Sequence, residues 1–426
     1  LALVAAGFIA SHGIAQRVPD TQINSSATPR ASHPDIQAVG GIIYATWSDT
    51  RNGQPDIYFD RSLDGGQTWS SSDTRIDTGS AAGVAWSADP KIRVSGSVVV
   101  ICWQDFREGV HPHYAGIYCN RSLDGGLTWL PNDVRVIAGF APGQSTSINQ
   151  TLSCINNDVF VTWEDLRDGS RDVYFQHSVD AGATWLANDV RVDTGDPAGA
   201  ANSVFPRHVV SGNDIHVIWS DFRNSNFSGD IYYNHSLDAG ATWLPAAIRI
   251  DHSPNVTYQG AIFPRIAVAG SSVYVMWHDN PDDPNFQLLS RDVFFNRSLD
   301  RGLTWLPTDI RLNTSGPAGT FFTEFPDLCA SGNEVFAVWI DRRQPRTVAF
   351  NRSLDSGTTW LATDVPISSP PTNSFPNIDV PRIAASGPLL LATWADDRDG
   401  DFDVYANSSS DSGTTWLQQA QRLDTG

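Results

Sequence analysis

Apolar residues recur along this chain with the two-residue period of half-buried strands, in short runs closed by Ser-Gly, Gly-Ser or Asp-Gly turns. Asp56-Ile-Tyr-Phe, Asp172-Val-Tyr-Phe, Asp230-Ile-Tyr-Tyr, Asp292-Val-Phe-Phe and Asp403-Val-Tyr each combine β-branched and aromatic side chains that pack well on a pleated surface. No stretch carries the 3.6-residue period of an amphipathic helix.

These runs lead into one octapeptide, Ser-x-Asp-x-Gly-x-Thr-Trp. Its copies begin at Ser62, Ser122, Ser178, Ser236, Ser298, Ser353 and Ser409 and end at Trp69, Trp129, Trp185, Trp243, Trp305, Trp360 and Trp416. The spacing averages about 58 residues, the scale of stacked supersecondary units. Its aspartates, Asp64, Asp124, Asp180, Asp238, Asp300, Asp355 and Asp411, are placed to accept N–H groups across a hairpin turn. Gly66 and its equivalents supply a positive φ, and the tryptophans supply plates to bury against neighbouring strands. Upstream, Trp-x-Asp-x-Arg recurs at Trp47/Asp49/Arg51, Trp103/Asp105/Arg107, Trp163/Asp165/Arg167, Trp219/Asp221/Arg223, Trp339/Asp341/Arg343 and Trp394/Asp396/Arg398, while Trp277/Asp279 keeps the first half. A ladder of ion pairs and hydrogen bonds between strands or blades accounts for that recurrence.

Each repeat therefore predicts four antiparallel strands, A to D. In the fifth these are 264–269, 273–277, 293–297 and a stretch from Thr304. Four short strands per repeat predict an all-β, seven-bladed β-propeller with one octapeptide per blade, over residues 32–426. Residues 17–31 form an extension holding a spare copy, 22–26, of the tail that ends each blade (Arg75-Ile-Asp-Thr-Gly, Arg191-Val-Asp-Thr-Gly, Arg422-Leu-Asp-Thr-Gly). That copy reads either as a strap that locks the ring, or a vestige of the repeat, or as a strand added to another molecule. Residues 1–16 are apolar and resemble the core and small-residue end of a secretory signal, so a secreted or cell-surface protein is expected. The apolar stretch 1–10 is too short to span a bilayer and favours self-association, giving a homo-oligomer or fibre through this segment.

The octapeptide resembles the Asp-box, or bacterial neuraminidase repeat, of the sialidase superfamily, over nearly the whole chain. That resemblance implies a propeller with the boxes on the face away from the active site. Catalytic members need three arginines on a carboxylate, a Tyr–Glu nucleophile pair, an Asp acid and a Phe/Tyr-Arg-Ile-Pro motif. Here the order is Phe263-Pro264-Arg265-Ile266, Phe205-Pro206-Arg207-His208 and Val380-Pro381-Arg382-Ile383, with proline before arginine and the phrase repeated. A hydrolase of this type would have to use Tyr258 with Glu324, Asp105 as acid, and Arg207, Arg265 and Arg382 as clamp. The departure from the family's order favours a non-catalytic member.

The formal charge is −19, from 28 basic and 47 acidic residues, and Lys91 is the single lysine. No basic stripe exists, which excludes nucleic acid and anionic membrane as expected partners. Cys102 and Cys119 share the second repeat and are the plausible disulfide pair, with two buried free thiols as the alternative.

Where the copies differ, function is expected. The B–C and D–A loops of a propeller share one face, the default surface for a glycan or protein ligand. Three B–C loops depart from the pattern: 278–286, the pair His111 and His113, and Asp397, Asp399, Asp401 and Asp403 around Gly400. Alternating carboxylates suit Ca²⁺, although no bidentate Glu closes the loop, and no motif requires a cofactor. Two classes of function follow: an exported structural or glycan- or protein-binding propeller, and a sialidase-type glycoside hydrolase.

Overall fold

The computed structural model describes residues 20–25, 30–109, 114–225, 228–252, 260–279, 291–319, 322–343, 345–368 and 377–424. Each repeat folds into one four-stranded antiparallel sheet in the order A-B-C-D, seven in all. This is the all-β architecture of a seven-bladed β-propeller. No helix long and apolar enough to cross a membrane occurs among the described residues. Thr21–His208 and Val209–Gly426 make up the bulk of two compact units.

The fifth blade shows why the strands form where they do. A runs Ile262–Ala269, B Ser272–Asp279, C Asp292–Ser298 and D Ile310–Arg311. D is two residues long and starts six residues later than the alternation suggests. The octapeptide holds the chain back: Asp300 accepts from the Thr304 N–H at 2.8 Å and its hydroxyl at 2.6 Å, so Thr304 belongs to the turn. Ser298 completes the knot, donating to Asp300 at 2.6 Å and accepting the Gly302 N–H at 2.8 Å. The same bonds recur at Asp64, Asp124, Asp180, Asp238, Asp355 and Asp411.

Strand B is buried on both faces because each sheet is covered by its neighbours. In the N-terminal unit Ile57, Phe59 and Ile76 of blade 1 pack with Ile92, Val99 and Trp103 of blade 2. In the C-terminal unit Phe336, Phe350 and Ile367 of blade 6 pack with Leu390, Ala392 and Trp394 of blade 7. The fully buried plates are Trp103, Trp163, Trp219, Trp277, Trp339 and Trp394 of the Trp-x-Asp phrase. The octapeptide tryptophans are only half-buried, and four sit edge-on against a strand-C ring of the preceding blade. These pairs are Trp129–Phe59, Trp305–Tyr233, Trp360–Phe295 and Trp416–Phe350, with centroids 4.8–5.0 Å apart. The octapeptide glycine lets that ring in. At Gly302, with φ +84°, a Cβ would lie 1.7 Å from the Tyr233 hydroxyl oxygen.

Cys102 and Cys119 lie directly opposite each other on strands B and C of blade 2, with Cα atoms 4.0 Å apart, and are bonded as a disulfide. Residues 22–25 lie against blade 1, where Ile23 packs on Ala45, Trp47 and Tyr58. The expectations for 1–16, and for 1–10 in self-association, fall outside the described residues.

Gly302→Ala is expected to destabilise the protein by about 2–4 kcal/mol, through strain at positive φ and displacement of Tyr233. Gly40→Ala meets no atom within 4 Å and carries the φ penalty alone, about 1 kcal/mol. Denaturant unfolding of the two variants measures the difference.

Candidate functional site

At the end of each strand B away from the octapeptide lies a buried carboxylate. In blade 2, Asp105 accepts from Trp103 Nε1 at 2.9 Å, from the Arg107 N–H at 2.9 Å and from Ser87 Oγ at 3.1 Å. The Arg107 guanidinium pairs with Asp105 and Asp133 and lies 4.2 Å over the Tyr118 ring. Asp165 repeats this with Arg167, Asp189 and Tyr174. Burial opposes the charge on Asp165, yet the Arg167 guanidinium outweighs it and holds the carboxyl below its ordinary range. The latch works mainly within one blade. Its inter-blade link runs through Ser87, which also donates to Asp77 of the blade 1 tail at 2.7 Å.

Behind the latch, an arginine of strand D bridges two acids. Arg75 spans Asp56 and Asp77, Arg191 spans Asp172 and Asp193, and Arg249 spans Asp230 and Asp251. Blade 2 has Gly116 and Ile137 at the two acid positions. There Glu108 reaches in from the B–C loop, accepting from Tyr118 Oη at 2.8 Å, Arg135 Nε at 2.5 Å and the Gly143 N–H at 3.0 Å. A Cβ at Gly116 would sit 2.7 Å from the Glu108 carboxylate.

The same end of strand A carries strain. His33, Asp89, Asn149, Phe205, Phe263, Phe325 and Val380, one per blade, have φ between 34° and 56°. In six blades the A–B pairing shifts register at this point, a β-bulge that re-aims one side chain. Each such residue costs on the order of 1–3 kcal/mol, and such outliers gather at binding sites. The backbone device is repeated sevenfold while its side chain varies, with phenylalanine in blades 4, 5 and 6 and four other residue types in the rest. Proline follows six of the seven, and proline inside a strand marks a bulge. That was the legible signal, and resemblance to a displaced Arg-Ile-Pro motif obscures it.

Around the bulges the two units offer different chemistry. In the N-terminal unit Glu164 is buried and accepts from Asn149 Nδ2 at 2.7 Å, the Phe205 N–H at 2.6 Å and Arg171 Nη1 at 3.2 Å. Burial raises its carboxyl above the ordinary value, against those hydrogen bonds and the charges of Arg171 and Arg207. In the C-terminal unit Phe263 stands edge-on to His278 at 5.3 Å. His278 is buried, neither ring nitrogen has a hydrogen-bond partner among the described residues, and burial, then Arg291 and Arg265, push it down to about 3. The guanidinium groups of Arg291 and Arg342 lie 5.2 and 5.1 Å over the Phe322 ring, and Arg342 pairs with Glu324. Burial lowers the Arg291 guanidinium from its ordinary value; Glu324 opposes this and Arg342 adds to it.

The residues expected for a hydrolase are not gathered as one set. Tyr258, His111 and His113 lie outside the described residues. Asp105 is committed to its latch and Glu324 to Arg342. Arg207, Arg265 and Arg382 share one role: each folds back onto the carbonyl of the proline before it, at 3.0–3.3 Å, and Arg265 also reaches Asp327 at 3.5 Å. In the acidic loop of blade 7, Asp397 accepts from Asn377, Asp399 from Tyr405, and Asp403 pairs with Arg422, while Asp401 is exposed. No group of three or more His, Cys, Asp or Glu that could hold a metal occurs among the described residues.

No protein-family model matches the chain, and no curated protein matches it. Solved structures do. The polysaccharide lyase Uly1 is 12% identical, with 96% of this chain and 94% of that one covered and a TM-score of 0.55. The Penicillium chrysogenum alpha-L-arabinanase complexed with arabinobiose is 16% identical, over 76% and 94%, with a TM-score of 0.44. The Hadza microbial sialidase Hz136 is 14% identical, over 90% and 73%, with a TM-score of 0.40. At these identities the likeness is one of fold alone, a β-propeller, and the chemistry rests on this chain's own residues.

The bridged acids set a pH dependence. Burial and Asp56 push Asp77 up to about 7, burial and Asp193 push Asp172 up to about 7, and burial lifts Asp230 to about 6. Each binds its proton more tightly folded than unfolded, so stability falls as pH rises from about 4 to about 7. The octapeptide acids run the other way. Asp64 and Asp238, held by their threonines, lie at about 2, so their contribution is lost as pH falls from about 4 to about 2. Thermal unfolding should therefore give a higher Tm near pH 5 than near pH 8. Asp77→Asn should shrink that difference, and an unchanged profile in the variant would count against this assignment.

Proposed function

We propose that this protein is an exported, glycan-binding propeller that holds a carboxylate-bearing saccharide at the bulged ends of strands A without cleaving it. The observation that carries the reading is the repeated positive-φ bulge, which spends backbone strain to aim five kinds of side chain from seven equivalent positions, phenylalanine at three of them. Phe263 and Phe325 of the C-terminal unit suit the apolar face of a sugar ring. Arg291 and Arg342 around Phe322 suit a carboxylate, because an anion would offset the crowding of two guanidinium groups. The two acids that the hydrolase reading requires, Glu324 to activate Tyr258 and Asp105 as the acid, are each engaged by an arginine. The propeller fold shared with the polysaccharide lyase Uly1 supports a glycan-related role at the level of architecture.

Titration calorimetry against uronate-containing and neutral polysaccharides tests this. Binding of the acidic polymer is expected, weakened about tenfold (about 1.4 kcal/mol) by Phe263→Ala and by Arg291→Ala. Retention of the polymer's chain length over a long incubation is the second expected result. Chain shortening or sialic acid release that disappears in Glu324→Gln would replace this reading with the hydrolase.

A further inference from the structure

Every blade tail that is followed by another blade carries an apolar residue whose carbonyl needs a donor. In four of these an amide on strand C of the next blade provides it. Asn120 Nδ2 donates to the Ile76 carbonyl at 3.3 Å, Asn296 to Ile250 at 3.0 Å, Asn351 to Leu312 at 3.0 Å and Asn407 to Ile367 at 2.7 Å. The same Nδ2 also donates to the residue after the octapeptide tryptophan, as Asn120 does to the Leu130 carbonyl at 3.2 Å. The tail backbone then binds an acid ahead of strand D: the Ala138 N–H reaches Asp189 at 2.9 Å and the Ser315 N–H reaches Asp364 at 2.6 Å.

Blade 1 receives residues 22–25 in this manner. The Ser25 N–H donates to Asp73 at 2.8 Å, Asn24 Nδ2 lies 3.5 Å from Asp49, and Arg51 Nη1 lies 3.4 Å from Ser25 Oγ. Ile23 takes the place of Ile76 and its counterparts. One position differs. Where the other six blades have Asn120, Gln176, Asn234, Asn296, Asn351 and Asn407, blade 1 has Asp60. Asp60 is 2% exposed. Its Oδ1 accepts the Arg61 N–H at 2.7 Å, as the Asn120 Oδ1 accepts from Arg121. Its Oδ2 stands where the amide nitrogen stands elsewhere and has no hydrogen-bond partner among the described residues. By the repeat, that atom faces the carbonyls of Ile23 and Ser70. An ionised oxygen there meets two carbonyl oxygens and can donate to neither, whereas a protonated one donates as the amide does.

We propose that Asp60 is a proton-operated clasp for the N-terminal segment: protonated, it donates to the Ile23 carbonyl and residues 22–25 stay seated on blade 1; ionised, it repels that carbonyl and the segment lets go. The groups around it are Ser70 and the Arg61 N–H, which favour the charged form, and Asp73, which opposes it and is itself paired with Arg51 beside Asp49. Burial, the largest influence, raises the Asp60 carboxyl, so release falls above the ordinary carboxylate range. The strand freed in this way is a tail copy, the element by which one blade joins the next.

Amide hydrogen exchange on the full chain tests the clasp, with Asp60→Asn restoring the amide that other blades carry. At about pH 5 the Ser25 amide should be protected alike in both proteins. At about pH 8 the wild type should lose at least about tenfold in protection relative to the variant, while amides of strand B in blade 2 stay alike. Asp60→Gln, which likewise removes the charge, serves as a second variant if those reference amides show Asp60→Asn to be misfolded. Equal protection of Ser25 in wild type and variant at both pH values, or the same pH-dependent loss in both, would overturn the proposal.

Discussion

A carboxylate buried at the end of strand B is the constraint on which each blade depends. Placing a charge there is unfavourable unless donors surround it. Asp105, Asp165, Asp221 and Asp396 draw in an indole N–H, a backbone N–H and a guanidinium, each from a residue two positions away. In blades 2 and 3 the arginine, once held, lies flat on a strand-C tyrosine and reaches the acid ahead of strand D. One charge thus ties three strands at the loop end of the blade, much as the octapeptide aspartate ties the turn at the other end. Between these two knots strands B and C carry most of the buried apolar side chains, with a buried amide or acid on each strand C. Strand A is left comparatively unconstrained at its start, and that is where the chain departs from regular pairing.

The repeats made the number of sheets and the positions of strands A to C readable, because a two-residue period with recurring Trp, Asp and Gly admits few alternatives. Strand D was placed too early because the Thr of the octapeptide looks like strand but is bound to the turn aspartate. The disulfide was undecidable by spacing alone and followed from register, which sets Cys102 opposite Cys119. The bulges were harder to see. A phenylalanine ahead of proline gives no hint of a left-handed backbone, and local rules are broken most often where a protein uses the strain. Glu108 was visible only as one of four glutamates. Its part became clear once Gly116 and Ile137 were seen to have vacated the acid positions it serves.

Scaffold and variation are separated within each blade. Tryptophan, aspartate, arginine and the positive-φ bulge recur, while the bulge side chain and the residue between Trp and Asp on strand B change. Glu164 and His278 occupy that second position in blades 3 and 5, and both lie beside a bulge phenylalanine. A candidate ligand surface can change there without disturbing the knots that hold the sheets, since none of the latch residues is shared with it.

The edge-on packing of an octapeptide tryptophan against the strand-C ring of the blade before it has a direction. Phe59, Tyr233, Phe295 and Phe350 are each capped by a turn that lies further along the chain. On the ribosome, each of these rings remains uncapped until the next repeat has been made. Assembly during synthesis thus lags the emerging chain by one repeat, and a chain halted between blades exposes one aromatic surface at its growing end. Chaperones that meet the nascent protein would find that surface moving forward in steps of a single blade.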